Sequence, residues 1–559
     1  MPFFGIDLGT THTVMVEVTH NKGIVEYKPV PLTDFRNGSS NEKSILLPSV
    51  VYFPENASPI VGTFAKEMLT VDPERVFLNT KVNLGAVLQS GAKRASHTPQ
   101  QVSEEILKKC FEDLPYGSQV MISVPAAFDD SKTQETKNAV DNAMKALDKE
   151  IEYLGLTEEP YAAMLNLIFL ENIDKEEFQK EKNIMIIDIG GGTLDIMIPK
   201  IIFDQESNAI TVKGWYNKAN HDEFAGARFD HEIMRHLKTQ FFRQYDLSSQ
   251  VFPSKNEEAI LEKVLLYYAE AAKKYLCDVK NIGRDYQFTL DPYEIPALSF
   301  LSDVVQEPFK ISIKKTEMDH WLRDKLYDNG TYMENGRSIQ GILRSALRNN
   351  GLSHKDIDMV YLTGGMAKYD KVAAVIKNTL HIQNVMVASE PLLCTAKGVA
   401  IHAKYKKISN VINVVGGKIG PDPNKNQTTR KMEHQDNIKN FLPDQTLGKG
   451  YFIGVDGEMP IKIISHDQKY PCNWTKVSHV FRINAPDRMN FEVYEGMSIY
   501  DCNMKVLQKR IVNFNKNYSI GSDIRLEYTI DSDRIITFRA TIFENGESET
   551  YILHPEGVQ

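Results

Sequence analysis

Residues 186–198 read IIDIGGGTLDIMI: an apolar run ending in Asp188, one more apolar residue, the glycines Gly190, Gly191 and Gly192, then Thr193 and a second apolar run. This text predicts a strand, a tight turn whose bare backbone N–H groups can close on phosphate oxygens, and a returning strand. Near the start, residues 5–13, GIDLGTTHT, follow the same plan, with Asp7 closing the strand and Gly9, Thr10 and Thr11 in the turn. A fold with two similar lobes, each giving one strand–turn–strand, produces such an echo. Asp7 and Asp188 then face one cleft from opposite lobes, and a hydrated Mg2+ between them and the phosphates accounts for both carboxylates. Either turn alone reads as an ordinary hairpin; the matched pair carries the argument. A third apolar strand runs into paired glycines at residues 360–368, VYLTGGMAK, where Gly364 and Gly365 would let the backbone pass close to a flat base or ribose.

The surrounding text sets the scale. A chain of 559 residues exceeds one core and predicts three or four packing units. A net charge of −9 argues against a general nucleic-acid or anionic-membrane binder. Five scattered cysteines without CxxC spacing fit reduced thiols rather than a disulfide frame or zinc site. No signal-like segment precedes the first strand, and no apolar run approaches the length of a membrane helix, so the expected location is cytoplasmic. Up to about residue 405 short strands alternate with amphipathic helices, as in Val120–Val124, the helix 130–148, Ile184–Ile187 and the helix 257–276. Residues 409–450 have linker or long-loop composition, Gly416–Gln427 most clearly. From Tyr451 onward the pattern alternates like antiparallel strands, at 461–464, 491–494, 524–530 and 535–543, with only a short polar tail after Ile552.

The ordered segments LLPSVVYF, AKEMLTVDPERVFLNTKVNLG, ISVPAAFDDSKTQETKNA, LTEEPYAAML, AGARFD, YYAEAAKKYL and VYLTGGMAKYDKV, together with the two turns, resemble the seventy-kilodalton heat-shock chaperone family. The resemblance runs from Gly5 nearly to Phe543 and is weak at residues 20–45 and 410–445. It implies an α/β actin-like, two-lobed ATPase domain over residues 1–405, a linker or long polar loop over 406–446, and a mostly antiparallel β-sandwich over 447–555. It also implies ATP or ADP with Mg2+, and K+ at a monovalent-cation site.

Residue by residue, the resemblance makes Lys81 the catalytic lysine that orients water and stabilises charge on the γ-phosphate. Phosphoryl transfer needs placed positive charge more than covalent chemistry, which suits that role. Glu159 matches the carboxylate that positions metal-bound water. Asp7 and Asp188 would hold Mg2+ through water, and Asp195 and Thr193 match the monovalent-cation site. Gly9, Thr10, Thr11, His12 and Gly190–Gly192 would line the phosphates. Glu270 and Lys273 would meet ribose hydroxyls, with the stem of Lys274 on the base and Cys277, Gly364, Gly365, Met366 and Lys368 around it. Family members usually carry arginine at Lys274, serine at Cys277 and often aspartate at Leu392. A guanidinium stacks better than an ammonium stem, so nucleotide affinity below the family's usual level is expected.

The segments MPIKIISHDQKYP, MNFEVYEG and IRLEYTIDSDRIITFRATIF follow the order of the family's peptide-binding domain. An open groove there would take unfolded or extended peptide by backbone hydrogen bonds and a side-chain pocket. Ile453, Ile461, Ile463 and Phe481 are groove candidates, although apolar strand residues are more often plain core. No sequence remains to build the family's helical lid, so short peptide residence is expected. Val411–Val415 is expected to pair as a strand against the lobes. Thr133 stands where the family carries a relay arginine, while Pro125 is kept, so little stimulation of hydrolysis by peptide is expected. The implied function is an ATP-dependent chaperone with slow hydrolysis, working with a J-domain co-chaperone and a nucleotide exchange factor. The alternative is a nucleotide-bound co-chaperone or partner-binding module with little ATPase activity.

Overall fold

The computed structural model describes residues 2–558 apart from 22–23, 37–38, 85–96, 127, 148, 205–208, 217–218, 248–250, 302, 329–336, 415–444, 447–449, 456–459, 466–467, 497–504, 545–546 and 555–556. Two mixed sheets organise the first part. In one, the strands Ile151–Glu158, Ser118–Val124, Phe3–Leu8, His12–Asn21 and Ile24–Pro29 lie side by side in that order. In the other, Val385–Val387, Met359–Thr363, Lys182–Ile189, Leu194–Met197 and Ala219–Asp222 do the same.

Each sheet is built on one antiparallel hairpin, Phe3–Leu8 with His12–Asn21 and Lys182–Ile189 with Leu194–Met197. On the outer side of each first strand lie two further strands, parallel to it. The echo in the sequence is therefore a repeated sheet plan. The central strands Ser118–Val124 and Met359–Thr363 are buried along their whole length, as parallel strands covered on both faces should be.

Two helices lock the sheets together. Glu159–Leu170 leaves the first sheet, and its apolar residues Ala163, Met164 and Leu167 pack with Ile184, Ile186 and Tyr361 of the second. Cys394–Val414 follows the last strand of the second sheet, and its Ala396 and Ala400 pack with Val14, Val16 and Val18 of the first. Each helix thus starts in one lobe and covers the other. The crossing is tight: a Cβ on Gly398 would overlap the Ala162 carbonyl, and one on Gly5 would overlap the backbone of Ala400. That is why small residues recur along Ala396-Lys397-Gly398-Val399-Ala400.

The helices read at 130–148 and 257–276 are found as Asp130–Ala146 and Lys255–Cys277. The helix Cys394–Val414 continues through the segment read as a strand at Val411–Val415, so that expectation is corrected as far as Val414. Apolar residues at 408, 411, 412 and 414 fit helical continuation as well as a strand, and the chain had a helix to continue. The polar stretch Gly416–Gln427 lies outside the described residues.

The last part holds two antiparallel sheets. Ile461–Ile464, Gly450–Val455, Arg488–Gly496 and Lys505–Asn513 form one; Cys472–Arg482, Asp523–Ile530, Ile536–Glu544, Glu547–His554 and Gly557–Val558 form the other. Tyr451, Ile453, Phe491 and Val493 of the first share a core with Ile524, Leu526, Phe538 and Ile542 of the second. The groove candidates Ile453 and Phe481 belong to this core, and Ile461 and Ile463 pack partly buried against it. Ile552, read as the last ordered residue before a polar tail, lies inside the strand Glu547–His554, and the chain then turns back to pair at Leu553–Val558. Among the described residues no helix is long and apolar enough to cross a membrane.

Gly398→Ala should force the two crossing helices apart and cost about 1–3 kcal/mol of stability. Denaturant unfolding of the variant checks this, and an unchanged midpoint with an unchanged slope would refute the tight crossing.

Candidate active site between the two lobes

The two glycine turns meet face to face. A Cβ on Gly191 would overlap the Thr11 side chain, and one on Gly192 would fall 2.7 Å from Val82 Cγ1 and overlap Thr10. Gly190 and Gly191 also accept the backbone N–H groups of Gly226 and Ala227, at 3.1 and 2.7 Å, which ties the second turn to the helix Gly226–Gln244. Thr10 and Thr193 are both buried here.

Lys81 opens the short helical turn Lys81–Asn83 and is only 5% exposed. Its Nζ donates to Glu159 Oε1 at 2.6 Å and lies 5.8 Å from the centre of the Phe128 ring. Glu159 is the first residue of its helix, preceding Pro160, so the residue that starts the crossing helix also holds the lysine. Asp7, from the opposite strand end, accepts from Ser123 Oγ at 2.7 Å. Asp195 Oδ1 accepts from the Ala126 N–H at 3.3 Å.

Asp7 and Glu159 lie within reach of the Lys81 charge, and Asp188 feels the charges of Glu159, Asp7 and Asp195. Burial raises Asp7, against the pull of Lys81 and the Ser123 hydroxyl. Burial pushes Glu159 up to about 7, even with Lys81 beside it and with Asp7 and Asp195 adding to the rise. Burial, and then the charges of Glu159, Asp7 and Asp195, hold Asp188 well above the usual carboxylate range. No group of three His, Cys, Asp or Glu side chains among the described residues is disposed to hold a metal ion directly.

The residues assigned to the nucleoside form a second cluster across the same cleft. Glu270 takes Lys66 at 2.5 Å from the first lobe and Lys274 at 2.5 Å from its own helix. Burial opposes its ionisation, but these two ammonium groups hold Glu270 well below the usual range. Lys274 Nζ reaches His12 Nε2 at 3.1 Å, and burial with the Lys274 charge pushes His12 down to about 3, leaving a neutral ring. Burial brings Lys274 itself down to about 8. Lys273 points elsewhere, to Asp230 at 2.8 Å and the Gly226 carbonyl at 2.9 Å. Cys277 is half-buried at the end of that helix, and burial pushes its thiol up to about 12.

In the third turn the residues part company. Met366 is buried in the core of the second lobe, Lys368 is exposed, and Gly365 sits against Leu392. Gly364, at φ +85, faces Asp188 and Ile189, where a Cβ would overlap both.

Three contacts were not read from the sequence. Ser123 and Thr395 hold Asp7 and Asp188, the latter through Thr395 Oγ1 to Asp188 Oδ2 at 3.0 Å. Lone hydroxyls in a buried strand and at a helix start carry no signal of that use. The third is Arg534, which follows Asp531-Ser532-Asp533 between the strands Asp523–Ile530 and Ile536–Glu544. It is 5% exposed, sits at φ +67, and crosses from the last two sheets into the first lobe. Its guanidinium donates to Glu158 Oε1 at 2.6 Å, the Ala126 carbonyl at 3.0 Å and the Phe128 carbonyl at 2.9 Å. Beside it, Asp533 accepts the Leu156 N–H at 2.8 Å, an approach that Gly155 at φ +117 leaves open. Tyr470 also donates to Glu158, at 3.3 Å. Thr133 lies buried nearby in the helix Asp130–Ala146, its N–H on the Asp129 carbonyl.

A family model described as Hsp70 protein matches residues 85–415. The chaperone protein DnaK of Thermotoga neapolitana is 26% identical over 555 residues, covering 98% of this chain and 80% of that protein. The DnaK proteins of Thermotoga petrophila and Thermotoga maritima align with the same identity and coverage.

Removing one partner of a buried ion pair leaves the other charge stranded, at a cost of about 3–5 kcal/mol. Arg534→Ala should therefore loosen the last two sheets from the lobes and split denaturant unfolding into two transitions. Arg534→Met combined with Glu158→Gln should recover most of that loss. A single unchanged transition in Arg534→Ala would show that the contact holds nothing.

Proposed function

The chain belongs to the Hsp70 family, and from that membership we propose a reading of its site residue by residue. The protein is an ATP-dependent molecular chaperone and an ATP hydrolase, and as in its family it uses ATP and ADP with Mg2+ and works with peptide substrates and co-chaperones. In our reading residues 1–405 form the actin-like nucleotide domain, 406–446 the connection, and 447–555 the β-sandwich that takes unfolded peptide. The two matched sheets and the shared core of the last two sheets support that division.

One observation carries the catalytic assignment. Lys81 is a buried ammonium held by Glu159, its charge reaches Asp7, and its neighbour Val82 lies against Gly192 of the second glycine turn. Lys81 binds the γ-phosphate and the attacking water, placing positive charge beside the negative γ-phosphoryl oxygens while the bond to the leaving ADP oxygen breaks and its electron pair goes to that oxygen. Glu159 fixes the lysine. The backbone N–H groups around Gly9 and Gly190–Gly192, with Thr10, Thr11 and Thr193, cradle the phosphates and exclude bulk water.

The donor set fits a hydrated dication. Glu159, Asp188 and Asp195 are buried and Asp7 is half-buried in one cluster, burial holds Asp7, Glu159 and Asp188 toward their neutral forms, and added positive charge would relieve that cost. Asp7 and Asp188 would hold Mg2+ through its waters, and the ion when bound neutralises phosphate charge. Asp195 and Thr193 are assigned to K+. Nucleotide must open the contacts of Glu270 with Lys66 and Lys274 before these groups can meet the ribose and base, which is consistent with modest affinity.

Single-turnover hydrolysis tests the reading. Lys81→Ala should slow it by about 10²–10³-fold with ATP binding retained. A rate equal to wild type would remove the catalytic role given to Lys81. Asp195→Asn should flatten the dependence of the rate on potassium concentration, and a dependence identical to wild type removes the K+ assignment.

A further inference from the structure

The repeated sheet plan makes the starts of the two crossing helices equivalent places. In the first lobe the helix that follows the outermost parallel strand begins at Glu159, which holds Lys81. In the second lobe the corresponding helix begins at Cys394, and its second residue is Thr395. Thr395 is 5% exposed, and its hydroxyl donates to Asp188 Oδ2 at 3.0 Å within a buried site.

The other oxygen of Asp188 is placed from the same side. Gly364 presents a bare Cα to Oδ1, in a conformation of positive φ that a side chain there would both strain and block. The segment leading into the helix is pinned to this turn, with the Pro391 carbonyl accepting from Gly364 N–H at 3.3 Å and Thr363 Oγ1 at 3.2 Å. Cys394 is buried against Tyr361, whose hydroxyl lies 3.5 Å from its sulfur. The start of the helix is thus fixed relative to the strand that carries Asp188.

We propose that Thr395 is a positioning residue for ATP hydrolysis: with Gly364 it forms a socket that fixes the orientation of the Asp188 carboxylate in the cleft. A carboxylate has a broad, roughly two-fold terminal torsion and takes a single orientation only when its oxygens have distinct partners. Thr395 supplies a donor for one oxygen and Gly364 supplies space for the other. Thr395 acts through Asp188, the carboxylate its hydroxyl bonds. The inference rests on the role given to Asp188 above.

The test compares Thr395→Val, which keeps the shape and removes the donor, with Thr395→Ser, which keeps the donor, and with Asp188→Asn. Two quantities are measured on the full chain: the single-turnover hydrolysis rate, and the Mg2+ concentration needed for tight ADP binding followed by a fluorescent ADP analogue. Partners that orient a functional carboxylate typically contribute about 10–100-fold. Thr395→Val should fall about tenfold in rate and need several-fold more Mg2+, in the same direction as Asp188→Asn. Thr395→Ser should stay within about threefold of wild type. Thr395→Ala, which also lacks the donor, should behave like the valine and serves if valine disturbs folding. Valine and alanine variants that match wild type while Asp188→Asn is impaired overturn the socket alone. Equal losses in serine and valine variants also overturn it, because packing would then be the cause. An Asp188→Asn variant equal to wild type in both measurements overturns the role of Asp188 itself, and the socket with it.

Discussion

The backbone contacts at Gly5 and Gly398 set the geometry on which the site depends. Where side chains separate two elements, a helix can slide by a rotamer's width; where backbone meets backbone it cannot. The helix Cys394–Val414 lies against the strand Phe3–Leu8 and the helix Glu159–Leu170 at those two points. Because each crossing helix begins in one lobe and packs on the other, its first turn is carried to the cleft between them. Glu159 and Thr395 are therefore placed by the same constraint that joins the lobes.

What that constraint assembles is a cluster of carboxylates. Glu159, Asp188 and Asp195 are buried and Asp7 is half-buried, Lys81 bonds Glu159, and burial pushes Asp7, Glu159 and Asp188 up. In the function proposed above, phosphates with a bound cation would bring positive charge to this cluster. The nucleoside side differs. There Lys66, Glu270, Lys274 and His12 already satisfy one another across the cleft, so opening it trades existing ion pairs for ligand contacts.

Arg534 extends the same site outward. It bonds Glu158, the neighbour of Glu159, and the carbonyls of Ala126 and Phe128, whose N–H and ring face Asp195 and Lys81. The last two sheets therefore touch a layer of residues that in turn touches Asp195 and Lys81. The sequence reading expected the link between the parts to fail at Thr133 and residues 409–450. Arg534, between two strands far along the chain, supplies a contact that reading did not include.

The text alone determined whatever depends on local pattern. The apolar strands closing in aspartate, the glycines at Gly190–Gly192, the helices 130–148 and 257–276 and the late alternating strands are periodicities and turn chemistries, readable within ten or twenty residues. The lysine at position 81 and the clamp at residues 270–277 came from ordered segments of a resemblance, and the fold brings Lys81 to Glu159 across 78 positions. Only the tertiary structure decided the fate of Val411–Val414, the burial of Met366, and the roles of Ser123, Thr395 and Arg534 as partners of site residues. A hydroxyl or guanidinium at one position looks the same in the sequence whether it meets water or a carboxylate hundreds of residues away. The difference is made by which backbones come close enough to exclude side chains, and that is a property of packing.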